Sequence, residues 1–156
     1  MRQNPSISYF TLDKNQLPSP LLLIEKVLNM AVTLDDLQGA YDISYQTTPQ
    51  LENFYEPGFG AAKIEGNRLR GMDGLGVIWD ATFEIQEDGS LSFKARLDPK
   101  DAPPTAGLMN EHGQMSREPQ DYNGVLQPTQ VDNILILRTR VQQGPLTIDV
   151  QFRKKT

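Results

Sequence analysis

The chain has 156 residues, 38% hydrophobic and 22% charged, the composition of one globular domain large enough to bury its own core. Its formal net charge of −5 argues against a nucleic-acid partner held by the overall field, and the absence of cysteine rules out a disulfide framework and thiolate catalysis. The early apolar run Leu21–Ile24 is short and is followed by Glu25 and Lys26, so neither a signal peptide nor a membrane span is predicted and a cytoplasmic location is expected.

Residues 1–36 read as an N-terminal extension. Ile7–Leu12 has the look of a short extended segment. Pro18-Ser19-Pro20 then offers an N-cap at Ser19 and a proline at the first helical position, which predicts a helix over about residues 20–32. Leu21, Leu22, Leu23, Ile24, Val27, Leu28 and Ala31 would put apolar side chains nearly all round it. Such a helix has to pack on the main domain or on a second copy of the chain, so a homodimer is one expectation.

From residue 37 to 156 the hydrophobic period becomes two. Tyr41, Ile43 and Tyr45 alternate with polar residues, and so do Val77, Trp79, Ala81, Phe83 and Ile85. The same holds for Leu91, Phe93, Ala95 and Leu97, and again for Leu146, Ile148, Val150 and Phe152. This is the pattern of strands with one face on a core and one in water. Turn signals separate the runs at Gly66-Asn67, Glu87-Asp88-Gly89 and Gly144-Pro145. With Phe59–Glu65, Tyr122–Gln127 and Ile134–Val141 added, the fold class is mainly β: an antiparallel up-and-down barrel of about eight strands, closed so that no edge is left open. Residues 99–120 break the scheme with four prolines and two glycines, a connection long enough to be a lid, a binding loop or a plain mobile loop.

The stretch GNRLRGMDGLGVIWDATFE, residues 66–84, is the densest in residues that carry chemistry. Gly71, Gly74 and Gly76 stand in the order G-x-x-G-x-G, and a strand follows them, so the helix N-terminus that a dinucleotide turn needs is missing. These glycines are read as a corner and a close strand approach. Asp73 and Glu84 imitate the ends of a calcium loop, but Leu75, Val77 and Ile78 fall where it requires oxygen ligands and a glycine. His112 is the only histidine, so no metal site is expected. Asp73 and Asp80 could do acid–base work only if the fold buried and converged them, and Asp80 falls on the polar face of its strand. With no cofactor motif and no catalytic constellation, a non-enzymatic binding protein is expected. The basic tip Arg153-Lys154-Lys155 reads as a solvated tail.

The aromatic residues are the better candidates. Tyr41, Tyr45, Trp79, Phe83 and Phe93 all fall on inward positions, where they either fill the barrel or line a pocket for one small ligand.

In order along the chain, Leu37-Gln-Gly-Ala-Tyr-Asp-Ile-Ser-Tyr45, Gly58-Phe-Gly-Ala-Ala-Lys-Ile64, Gly66-Asn-Arg-Leu-Arg-Gly-Met-Asp73 and Leu91-Ser-Phe-Lys-Ala95 resemble the GrlR-like family of small β-barrels, named for a bacterial negative regulator of type III secretion. The most specific passage is Gly66, Leu69, Gly71 and Asp73, and the resemblance covers roughly residues 36–154. It implies a lipocalin-like fold and action through a protein partner, with the turn that holds Glu87 and Asp88 as the contact surface. The expectation is therefore a cytoplasmic regulator that binds a protein, with no cofactor, nucleic acid or membrane. A carrier of a small hydrophobic ligand is the alternative, and a barrel-type isomerase or cyclase stands behind both.

Overall fold

The computed structural model describes residues 27–29, 31–48 and 58–156. In chain order the elements are β1 (Val27–Asn29), α1 (Leu34–Leu37), β2 (Gly39–Thr48), β3 (Gly58–Glu65), β4 (Arg68–Asp73), β5 (Ile78–Ile85), β6 (Leu91–Asp98), β7 (Leu108–Met109), β8 (Met115–Ser116), β9 (Gln120–Val131), β10 (Ile134–Gln143) and β11 (Leu146–Lys154). Ile7–Leu12 and most of the helix predicted over 20–32 lie outside the described residues. Where that helix overlaps them, at Val27–Asn29, the chain is a strand instead, paired antiparallel with Val131–Thr129. The reason lies in β9. Its pairing with β6 stops at Leu126, which leaves the backbone of Thr129–Val131 open on one side, and β1 takes that side. Pro128, with no N–H to donate, falls at the handover.

The predicted barrel is present. Strands β2 to β6 and β9 to β11 pair antiparallel, each with its neighbour in the chain, and the β11–β2 and β6–β9 pairings close the ring. Closure needs a stagger, and β9 supplies it: residues 120–126 pair with β6 and residues 127–131 with β10. The turns fall at the predicted signals, with Gly66, Gly89 and Gly144 at positive φ. A further tight hairpin joins β9 to β10 through Asp132 and Asn133, both at positive φ (52° and 67°). Asn and Asp accept that conformation more readily than other side-chain-bearing residues. Gly71 and Gly60 are strand glycines that sterics demand across the β3–β4 pair, because a Cβ on Gly71 would run into the Ala61 carbonyl and Ala62, and one on Gly60 into the backbone of Met72 and Asp73.

Inside, the alternation does what the sequence predicts. Ile43, Ile64, Leu69, Phe83, Leu91, Leu126, Leu137 and Phe152 are all buried. Each such side chain contributes about 1.5–3 kcal/mol by leaving water. Ile85, assigned to the inward face, is 39% exposed because it ends β5 beyond the core. Outside, three arginines clamp carboxylates on neighbouring strands with two hydrogen bonds each: Arg68 on Asp80, Arg96 on Asp121 and Arg140 on Asp149. Arg96–Asp121 and Arg140–Asp149 are directly opposed in register.

One end of the barrel is plugged. Thr33 and Asp36 cap α1 reciprocally, through Asp36 N to Thr33 Oγ1 and Thr33 N to Asp36 Oδ2. Leu37 at the end of α1 is wholly buried, and Tyr41 Oη donates to its carbonyl at 2.6 Å. The Gln38 amide pairs with both backbone groups of Gly66, and Lys154 Nζ donates to the Asp36 carbonyl.

Candidate functional site

Above the plug the side chains do not fill the barrel. A half-enclosed cavity of about 130 Å³ remains, walled almost entirely by apolar groups from the inward faces of the eight barrel strands. Its shape follows from side-chain size along paired rows. Trp79 lies opposite Leu97 and Phe83 opposite Phe93, two bulky layers on β5 and β6. Between them Ala81 faces Ala95, and next to Ala95 on β9 stands Tyr122. The two alanines leave the room. They and Tyr45, Leu97, Val141 and Ile148 stay only partly buried, although they line the cavity and pack on the core.

The aromatic wall is ordered by its neighbours. The Tyr45 ring crosses Gly58 so closely that any Cβ there would collide with it. It lies 5.8 Å from the Trp79 ring at a tilt of 38°, and Trp79 meets Phe152 edge-on at 6.0 Å. The Trp79 indole is fixed by Asp73, whose Oδ2 accepts Nε1–H at 3.0 Å. The other carboxylate oxygen of Asp73 accepts the backbone N–H groups of Leu75 and Val77 at 3.0 and 3.1 Å. Asp73 is thus a buried anion held by neutral donors, and it shapes the turn from β4 to β5.

Two polar residues of the wall contrast. Thr139 on β10 is half-buried. Tyr122 is only 9% exposed, and among the described residues its hydroxyl has no hydrogen-bond partner; burial alone pushes its pKa up to about 12. Among the described residues the only carboxylates on the wall are Asp73 and Asp80, and the wall holds no lysine, arginine or histidine. Asp80 is turned to its arginines, and the Arg68 hydrogen bond holds its carboxyl below the ordinary 3.8.

The mouth carries a folded lid. The segment 99–120 contains the two-strand ribbon of β7 and β8, with Leu108 paired to Ser116 and Met109 to Met115. Asn110 Oδ1 shapes the tip by accepting from His112 N and Gln114 N. Arg117 locks the base: its guanidinium donates to the carbonyls of Ala102, Pro103 and Ala106 at 2.8–3.2 Å. Gly107, Leu108 and Met109 contribute to the cavity wall. The tip reaches the β10–β11 turn, where a Cβ on Gly144 would meet Gly113 and Asn110 within 3.3 Å.

Of the predicted site residues, Tyr45, Trp79, Phe83 and Phe93 come together on the cavity wall. Tyr41 does not; it is wholly buried in the plug, where its hydroxyl serves Leu37. Glu87 and Asp88 lie in the β5–β6 turn at the plugged end, away from the mouth. Asp88 Oδ1 accepts the Ser90 hydroxyl and N–H, which keeps its carboxyl below the ordinary range. His112 is exposed at the lid tip, 3.5 Å from Glu111, and among the described residues no three His, Asp or Glu gather as a metal site. Sequence reading missed Tyr122 as a wall residue and Leu108 and Met109 as lid residues. The signal for Tyr122 was its alternation with Gly124 and Leu126; two-residue strands leave no signal for the lid. No helix among the described residues is long and apolar enough to cross a membrane. No family model, no curated protein and no solved structure matches the chain.

Proposed function

We propose that the protein is a small-molecule binding barrel, a carrier or sensor that takes one small apolar ligand between Trp79 and Tyr122. The observation behind this reading is the apolar cavity itself, about 130 Å³, beneath a lid that is folded rather than loose. That volume is comparable to an engineered apolar cavity that accepts benzene. Burying about 150–200 Å² of ligand surface yields roughly 4–5 kcal/mol before association costs, which weaken the outcome, so probes of this size should bind with Kd of about a millimolar or above. Trp79 is the only tryptophan in the chain and lines the cavity, so its fluorescence reports entry. Toluene should shift the emission saturably, and Ala95→Leu, which fills the space, should abolish the shift. An unchanged emission in the parent protein, with toluene bound nowhere by ligand-observed NMR, would refute the carrier reading.

A protein partner is the second reading, in line with the GrlR-like resemblance. What favours it is an apolar pair on the outer face: Phe59 is 62% exposed and Met72, its diagonal neighbour across β3 and β4, is 46% exposed. The Glu87–Asp88 turn supports it less, since Asp88 is engaged by Ser90. Phe59→Ser with Met72→Ser should then release a captured partner that Glu87→Gln retains.

A further inference from the structure

The cavity wall bears on the chemistry of its occupant. Among the described residues two tyrosines are deeply buried, and the chain treats them differently. Tyr41 Oη donates to the Leu37 carbonyl, whereas Tyr122 Oη has no hydrogen-bond partner among the described residues. A buried hydroxyl with no partner is unfavourable, and native folds seldom keep one without a use. Tyr122 lines the cavity beside the gap that Ala95 and Ala81 leave, so a ligand in that gap lies next to it.

Charge narrows the choice. Among the described residues the wall holds no cationic side chain, and it already contains the Asp73 carboxylate, whose donors are all neutral. A carboxylate or phosphate ligand would lose its water, gain no counter-ion and face that anion. An ammonium ligand would be drawn to the Asp73 charge, but the three N–H donors leave it one lone pair of Oδ2, and its other N–H groups would lose water against the apolar wall. Tyr122 itself stays an O–H donor at neutral pH, since burial disfavours its anion. Resting on the carrier reading, we propose that the ligand is a small, neutral, mostly apolar molecule with one accepting oxygen, such as a ketone, aldehyde or ether, and that Tyr122 Oη donates to that oxygen and selects for it.

The test is a matched series on the full chain and on Tyr122→Phe, read by calorimetry and by NMR. Cyclohexanone supplies the acceptor, methylenecyclohexane is its shape-matched hydrocarbon, and cyclohexanecarboxylate and cyclohexylammonium supply the two charges. The expected result is that Tyr122→Phe weakens cyclohexanone about five- to tenfold, the worth of one hydrogen bond, and leaves methylenecyclohexane unchanged. The carbonyl carbon resonance of bound cyclohexanone should move downfield in the parent protein and not in the variant, a signature that a packing role would not produce. Neither charged compound should bind. Equal ketone affinity in both proteins, with the hydrocarbon still bound, would overturn the role of Tyr122 while the carrier reading stands. Tighter binding of either charged compound would overturn the ligand class. Failure of all four to bind the parent protein would remove the carrier reading and this inference with it. The variant deletes one oxygen from an unpartnered group, so its melting temperature, unchanged or raised, shows that folding is not the cause.

Discussion

Three N–H groups converge on the Asp73 carboxylate, two from the backbone of the β4–β5 turn and one from the Trp79 indole. A buried carboxylate without a cation persists when several donors converge on it, and charge-assisted bonds are the stronger kind. Asp73→Asn keeps the shape but replaces one accepting oxygen with an NH₂ group. Whichever way the amide turns, a donor faces a donor. The expected loss is about 2–3 kcal/mol of stability in urea unfolding, with a changed near-ultraviolet signal from a loosened Trp79. An unperturbed Trp79 signal in that variant would show that the bond does not hold the ring. The sequence marks both residues out, Asp73 as a candidate acid and Trp79 as a wall aromatic, but not the bond between them. The two are six positions apart, and only the corner made by the intervening glycines turns one towards the other.

At the scale of elements, the lid shows why part of the site is illegible in sequence. Its prolines break every period, and β7 and β8 are two residues each, too short for alternation to register. What ties down its base is one side chain: Arg117 gathers the carbonyls of Ala102, Pro103 and Ala106, of which Pro103 also accepts the Ala106 N–H in a turn. A lysine carries the same charge but lacks the planar fork that spans them. Arg117→Lys should therefore raise hydrogen exchange across residues 100–118 and speed ligand release, while exchange in β4 and β5 stays as it was. Uniform deprotection of the whole barrel would mean that the lid is part of the core and not a separable cover. The plug at the other end has the opposite legibility. Leu37 and Tyr41 announce themselves as buried, but the sequence assigned Tyr41 to ligand because alternation says which face a residue is on and not how far along the barrel it lies.

For the whole molecule, the barrel could be read because each strand repeats the same instruction, apolar in and polar out, and a register slip would invert it. The cavity could not be read, because it is a difference of volumes between residues on separate strands: Ala81 and Ala95 leave a gap only once they lie side by side between two bulky layers. pH tests the same packing globally. The carboxyls of Asp36, Asp80, Asp88 and Asp121 are each held below the ordinary 3.8 by hydrogen bonds, so the stability they give is full above about pH 4 and fades as pH falls through their lowered values. The alkaline side is more telling. Burial raises the pKa of Tyr41 and Tyr122 above the ordinary 10, Tyr122 to about 12. The unfolded chain ionises first, so the stability these groups carry is intact below pH 10 and declines as pH rises through the folded values. Each removes about 1.4 kcal/mol per pH unit over that window, or about twice that for the pair. Tyrosinate absorbance from these two should appear together with the loss of Trp79 fluorescence, and the stability of Tyr122→Phe should fall with about half the slope. Ionisation of Tyr122 in the parent protein without unfolding would mean that water reaches the wall freely, and the half-enclosed apolar cavity would no longer describe this barrel.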